Sequence, residues 1–287
     1  MNIKLFFERL YWAFFKRTGQ KKQKSYEDWA AKGYKNTPEV SFIVQSHNKS
    51  NAVIHIVKEL RKFPDAEIVV IDDGSTLEHT RNLASFLIGG NEFMIRANDL
   101  YENVMYDKAI RFANGTYVVL LQDDDRIPGT EWVSRAVNLF RKYPDMVILG
   151  GLNGLNIYPD EENKWLHVKE YTDRNIYDKE FRFVHSVNRA PMLINKPLYM
   201  EHLKHIEFSF APFQCDDTEL CLRAWLAGLK VGRYNAVFDS LMAGGMRIWN
   251  SEFMNSQGRK NHRKLYDMYA PSLDRVTALV EEANSAI

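Results

Sequence analysis

Between residues 39 and 150 short apolar runs alternate with stretches of helical periodicity. Val40–Gln45 (VSFIVQ), Glu67–Ile71 (EIVVI), Phe93–Arg96, Thr116–Leu121 (TYVVLL) and Met146–Gly150 are rich in β-branched residues and predict buried strands. Ala52–Phe63, a stretch running to about Leu87, Leu100–Ala113 and Trp132–Lys142 predict helices. Pro64, Gly89-Gly90, Asn114-Gly115 and Pro144 supply their stops. Strands alternating with helices predict an α/β fold with a mostly parallel central sheet, flanked by crossover helices. Such sheets bind ligands at the carboxyl ends of their strands. Residues 151–200 are less regular, with a charged loop at Asp160–Lys164 and a strand around Pro191–Ile194. A further helix, Asp217–Leu226, stops at Gly228. The chain after Phe253 is polar and basic, with Arg259, Lys260, His262, Arg263 and Lys264.

The first 36 residues break this pattern. They hold nine Lys and Arg against Glu8, Glu27 and Asp28, with Phe6, Leu10, Trp12, Ala13, Phe14 and Phe15 interleaved among the first charges. A helix of that composition is amphipathic, aromatic and basic. It suits either the interface of an anionic membrane or a packed face on its own domain or a partner. No apolar run reaches the roughly 18 residues that span a bilayer, and no small-residue cleavage site follows the apolar start. The expectation is a cytoplasmic protein, peripheral at a membrane surface if this segment docks there. At 287 residues the chain is long enough for one large domain. Its net charge of +1 gives no global field for nucleic acid. Cys215 and Cys221 have no zinc-site spacing and are expected to stay reduced.

Three strand ends and one helix start carry polar clusters. Asp123-Asp124-Asp125 follows TYVVLLQ, so Asp123 and Asp125 share a side while the chain stays extended. Like charges about 4 Å apart repel by about 1 kcal/mol in water and roughly 4 kcal/mol at an effective dielectric near 20. A divalent cation removes that penalty, and Mg²⁺ takes one or two carboxylates together with phosphate oxygens. Asp72-Asp73-Gly74-Ser75 ends EIVVI, where carboxylates can accept from a base N–H or ribose hydroxyls and Gly74 permits a tight turn. Ser46-His47-Asn48 ends the first strand. Asp216-Asp217-Thr218-Glu219 opens the late helix. One acid there suffices as a cap, and a helix N-terminus keeps a carboxylate ionised, as a general base requires.

The order SFIVQSHN, VIDDGST, an Asn-containing stretch with ANG before a strand, LLQDDD and DDTELCLRAWLAG resembles the family 2 glycosyltransferases. These inverting nucleotide-sugar transferases have the GT-A fold, and the resemblance covers roughly residues 38–235. It implies an N-terminal basic segment (1–36), a GT-A domain (37–250) and a C-terminal helical tail (251–287). Within the domain, residues 37–150 would bind the nucleotide and 151–250 the acceptor. It implies a nucleoside-diphosphate sugar, most often of uridine, as donor, Mn²⁺ or Mg²⁺ as cofactor, and a glycan or lipid-linked acceptor. Ser46, Asn48, Asp72, Asp73, Ser75, Asn98 and Asp124 fall at donor-binding positions. Asp123 and Asp125 match the metal-binding DxD pattern. If Gln122 instead takes its first place, the ligands become Asp124 and Asp125. Asp217 matches the base that deprotonates the acceptor, with Asp216 in place of the usual Glu, and Arg223 matches a basic residue further along that helix. The chain departs from the pattern at Gln45-Ser46-His47, at Tyr106-Asp107, and at Phe238–Gly245, which lacks the frequent late histidine. Trp165, Tyr171, Tyr177 and His185 are candidates to shape the acceptor site. Two alternatives are a catalytically silent nucleotide-sugar or carbohydrate-binding protein and a sugar-1-phosphate nucleotidyltransferase. The second needs a glycine-rich loop where SHNKSN stands.

Overall fold

The computed structural model describes residues 3–11, 13–14, 37–63, 65–127, 129–170, 180–189, 191–240 and 251–287. The early strands are β1 (Val40–Ser46), β2 (Glu67–Asp73), β3 (Glu92–Ala97), β4 (Tyr117–Leu121) and the short β5 (Asp125–Arg126). After them come β6 (Met146–Gly150), β7 (Gly154–Asp160), β8 (Trp165–Glu170), β9 (Phe181–Phe183), β10 (Ser186–Val187) and β11 (Met192–Asn195). The last strands are β12 (Lys230–Tyr234) and β13 (Asp239–Ser240). The helices used below are α1 (Ser50–Leu60), α2 (Leu77–Phe86), α3 (Tyr101–Phe112), α4 (Glu131–Lys142), α5 (Asp216–Leu226), α6 (Ser251–Tyr269) and α7 (Leu273–Ser285).

Eight strands form the main sheet in the order β3-β2-β1-β4-β11-β6-β12-β9. Every residue of β1, β2, β4 and β6 is buried, because helices cover both faces, and the continuous apolar runs follow from that. The segment β3-β2-β1-β4 is parallel. β11 runs antiparallel between β4 and β6, and β9 antiparallel to β12. The predicted strand near residues 191–194 is therefore real, but among the described residues the connection that leads to it contains strands and no helix. The chain arrives there from a second sheet, β10-β7-β8, and so enters from the opposite end. The charged loop at 160–164 is the tip of the antiparallel β7–β8 hairpin.

Strand order reverses between β1 and β4, which neighbour each other although β2 and β3 lie between them in sequence. A switch of this kind leaves a crevice at the carboxyl ends of the strands. Residues 251–287 form two helices whose Leu265, Leu273, Val276 and Val280 join the buried core. At the other end, residues 3–11 are helical and exposed throughout. Trp12 and Phe15, and the basic stretch to Lys35, lie outside the described residues.

Candidate active site

The loops after β1 and β4 meet at the switch point. The Asp123 carboxylate accepts from the His47 backbone N–H at 3.2 Å and from Lys49 Nζ at 3.1 Å. Asp125 is buried, and its Oδ2 accepts from the Gln122 N–H at 2.8 Å. Its Oδ1 has no hydrogen-bond partner among the described residues. Burial pushes the Asp125 carboxyl up to about 7, with the Gln122 N–H opposing and Asp124 and Asp123 adding to the rise. Burial also raises Asp123, and Lys49 pulls it back. Asp124 is half-buried between them.

The same division recurs after β2. Asp72 is fully buried; its Oδ2 accepts from the Thr80 hydroxyl at 2.7 Å, and its Oδ1 is without a partner among the described residues. Both oxygens of Asp73 are occupied, accepting from the N–H groups of Leu100 at 2.8 Å and Tyr101 at 2.9 Å. Asp73 thus holds the entry to α3. Gly74 has φ +79°, and a Cβ there would lie 2.5 Å from Asp99 Oδ1, so the turn needs glycine. Asn48 and the loop after β2 bond reciprocally: Asn48 N–H donates to Ser75 Oγ at 2.8 Å, and Thr76 N–H donates to Asn48 Oδ1 at 2.8 Å. Ser46 faces Asp72 in the parallel register, and its buried Oγ is also partnerless among the described residues. Asn98 is exposed just beyond β3. Ser46 Oγ, Asp72 Oδ1 and Asp125 Oδ1 thus lie at the carboxyl ends of three neighbouring strands, each a buried polar atom lacking its expected partner.

On the opposite side, α5 begins at Asp216. The two residues before it, Gln214 and Cys215, have φ of 73° and 67°, sparsely populated values for side chains with a Cβ. Asp216 is buried and accepts from Arg189 Nη2 at 2.6 Å. Burial pushes its carboxyl above the ordinary carboxylate range, with Arg189 opposing. Arg189 also lies 3.8 Å from Glu102 and 5.1 Å from the Tyr106 ring centroid. The Tyr106 hydroxyl donates to the Leu121 carbonyl at 3.0 Å, which links this cluster to the strand that the three aspartates follow. Asp217 points elsewhere. It lines an open cleft of about 460 Å³ together with Gln122, Glu102, Arg189, Met254 and His262. Gln122, the residue directly before the triple aspartate, is part of that wall, so the cleft that Asp217 lines reaches the end of β4.

The acidic cluster fits a divalent cation of the kind the resemblance implies. Among the described residues no three His, Cys, Asp or Glu converge into a complete protein cage. What is present is a buried carboxylate oxygen without a partner, beside a half-buried second acid, which is the donor set of a cation completed by phosphate. Asp123 is less free than Asp125 because Lys49 and His47 occupy it.

Other candidates have other tasks. Arg223 is consumed internally, bonding Glu219 at 2.8 Å and the carbonyls of Leu203 and His205 at 2.5 and 2.7 Å. His185 meets Thr277 Oγ1 at 3.0 Å, and burial lowers it to about 4. Trp165 stacks on His262 with centroids 4.3 Å apart, beside the cleft. Tyr171, Tyr177 and residues 241–245 lie outside the described residues. Sequence reasoning missed Lys49, Glu102, Arg189 and His262. Lys49 stood next to a named motif. The other three come from the middle of a helix pattern, an irregular loop and a basic tail, where nothing local marks them.

The sequence model of the family described as "Glycosyl transferase family 2" matches residues 41–218, more than half of the chain. No curated protein matches it. Among solved structures the fold is similar to GalNAc-T7 with UDP, GalNAc and Mn²⁺, at 15% identity and TM-score 0.56, covering 70% of this chain and 43% of that one. It is also similar to the mannosyltransferase PcManGT from Pyrobaculum calidifontis in complex with GDP-Man and Mn²⁺. That match has 14% identity and TM-score 0.53, covering 96% of this chain and 85% of the other. S. aureus TarS 1–349 in complex with UDP-GlcNAc follows at 17% identity and TM-score 0.50, covering 74% and 61%. The chain thus spans less than half of the GalNAc-T7 chain, and at these identities the likeness is one of fold.

Proposed function

The chain belongs to glycosyl transferase family 2, and from that premise we propose that it is a metal-dependent, inverting enzyme that moves a sugar from a nucleoside-diphosphate sugar to a hydroxyl group. A UDP-sugar is the favoured donor and a glycan or lipid-linked molecule the acceptor. Family membership sets the nucleotidyltransferase alternative aside. The observation that carries the reading is the row of buried oxygens on Ser46, Asp72 and Asp125 at the strand ends, without partners among the described residues, together with a cleft lined by Asp217. Two of the three neighbours reported above contain UDP and one contains GDP-Man, which supports the donor class.

In the proposed reaction the acceptor oxygen attacks the anomeric carbon and its proton passes to the Asp217 carboxylate. The bond from that carbon to the diphosphate oxygen breaks, and its electron pair leaves with the nucleotide. Attack opposite the leaving group inverts the centre. Asp125 and Asp124 would hold the cation, with Asp123 as the other candidate ligand. When bound, the cation offsets charge on the leaving diphosphate. Ser46, Asn48, Asp72, Ser75 and Asn98 are assigned to the donor, and Asp73 to shaping its loop. Asp216 is assigned to orienting the base.

The test is a thermal-shift comparison of UDP, GDP, dTDP and their sugars, each with and without Mn²⁺ or Mg²⁺. A ligand at 100 times its Kd stabilises by about 2.7 kcal/mol, so the donor class should stand out, and only with metal. Uniform silence across the series would overturn the proposal. A peripheral membrane contact is supported by the N-terminal helix, where Ile3, Phe6, Phe7, Leu10, Tyr11 and Phe14 are all exposed. Among the described residues no helix is long and apolar enough to cross a membrane. Flotation with anionic liposomes should recover the full chain and not a variant lacking residues 1–36; equal recovery removes the idea.

A further inference from the structure

The turn that launches α5 has an unusual support. Phe210–Cys215 approaches the helix through two consecutive left-handed residues, Gln214 and Cys215, neither of them glycine. Such a conformation persists only where its surroundings fix it. The fixing groups come from α6, which lies wholly outside the segment matched by the family model. Asn261 is fully buried, and its Nδ2 donates to the carbonyls of Phe210 at 2.8 Å, Phe213 at 2.8 Å and Gln214 at 3.0 Å. Its Oδ1 accepts from Gln257 Nε2 at 3.1 Å, and that amide also donates to the Ala211 carbonyl at 3.1 Å. Four carbonyls of a five-residue stretch therefore end on two side chains one turn apart. A carboxamide has only two N–H groups, so one of the three Asn261 contacts is shared. The same helix places Met254 and His262 in the cleft wall beside Asp217. Its far end is tied to α5 through the Tyr269 hydroxyl, which donates to Glu219 Oε1 at 2.6 Å.

We infer that Asn261 is a positioning residue: it clamps the left-handed turn at 214–215 and so sets where Asp217 stands in the cleft. The inference rests on Asp217 being the base of the proposed transfer. Asn261 touches neither donor nor acceptor in this scheme. Its effect passes through the backbone of residues 210–215. Asn is suited to the task because it presents donors to the turn and an acceptor to Gln257 at once. Aspartate has the same size and no donor when ionised, so Asn261→Asp sets a carboxylate against three carbonyl oxygens.

The experiment compares wild type, Asn261→Asp and Asn261→Ser with UDP-N-acetylglucosamine, UDP-glucose and GDP-mannose in the presence of Mn²⁺. Nucleotide release with water as acceptor gives turnover, calorimetry with UDP or GDP gives donor-side affinity, and hydrogen exchange reports the amides of residues 210–217. A misplacement of about 1 Å can cost about 10²-fold in rate. Asn261→Asp should therefore lose about 10²-fold in kcat with nucleotide affinity within about threefold of wild type, and exchange at 210–217 should rise at least tenfold while the β1–β4 amides stay protected. Asn261→Ser keeps one donor and should lose about tenfold; it decides the matter if the aspartate variant does not fold. Turnover within twofold of wild type in the folded variants overturns the inference. So does a loss of nucleotide affinity in step with turnover, which is what a merely structural residue would give. If wild type itself neither binds nor turns over any of these donors, it is the proposed function that fails, and the exchange data still judge the clamp.

Discussion

Asp123–Asp125 end a buried strand, whereas Asp216 and Asp217 open a helix, and the two segments solve one electrostatic problem in different ways. At the strand end, Asp123 is tied to Lys49 and the His47 N–H, while the more deeply buried Asp125 keeps an oxygen without a partner. Among the described residues no cationic side chain answers its charge, and burial pushes it up to about 7. At the helix start, the buried member, Asp216, is the one that is paired, to Arg189, and Asp217 is left facing the cleft. In the proposed function the carboxylate left buried and uncompensated is the one assigned to the cation. The one left in a cleft beside a compensated neighbour is the one assigned to the acceptor's proton. The surroundings, not the residue type, separate the two tasks.

The sharpest break in this comparison is Asp217→Asn. One general base supplies typically 10²–10⁴ in rate, so turnover should fall by at least about 10² while nucleotide affinity holds. Asp216→Asn should cost less turnover, because it removes a partner of Arg189 and not the proton acceptor. If the two variants exchange these phenotypes in steady-state assays, the roles of 216 and 217 are reversed.

Arg189→Met comes next. It leaves Asp216 buried beside Glu102 without its cation. Removing one partner of a buried ion pair costs about 3–5 kcal/mol. Urea unfolding should show a loss of that order, and the double variant Arg189→Met with Asp216→Leu should recover much of it. A loss below about 1 kcal/mol would mean that the pair is solvated and does not fix the base helix.

At the strand end, Asp125→Asn should weaken Mn²⁺ affinity by about 10–100-fold, the range seen when even an outer partner of a metal site is removed. Asp123→Asn should do less, since Lys49 already occupies that carboxylate. Titration of UDP stabilisation against Mn²⁺ reads both variants. A larger effect at 123 would return the metal to the first-and-third spacing of the DxD pattern.

The part of the fold between residues 40 and 150 was legible because each buried strand is an unbroken apolar run and each connecting helix has its own stop. The second half was less so. β11 reads as a strand, but nothing in MLIN says that it runs antiparallel to β4, because its direction depends on where the chain enters, and β10 of the second sheet precedes it. The acids of the site were visible because charges directly after an apolar run need a reason. Their partners were not. Arg189 and Glu102 are ordinary charged residues until folding brings them within 3.8 Å of each other, and Asn261 is one amide in a basic stretch. Groups that bind are written as motifs, while groups that position are written only in space.

The end of β2 offers the finest version of the same contrast, with the smallest expected effect. Asp72 and Asp73 are adjacent and both buried, yet Asp73 spends both oxygens on the N–H groups of Leu100 and Tyr101, while one oxygen of Asp72 has no partner among the described residues. Asp73→Ala removes what amounts to a helix cap and should destabilise by about 0.5–2 kcal/mol, with UDP affinity nearly unchanged. Asp72→Ala should instead be read in affinity, since hydrogen bonds to charged groups contribute about 1.5–3 kcal/mol each. Chemical denaturation and calorimetry on the two variants separate these outcomes. Were Asp73→Ala to abolish nucleotide binding while its stability stayed at the wild-type level, its carboxylate would belong to the donor site, and the contrast between a more and a less engaged acid would not hold at this strand.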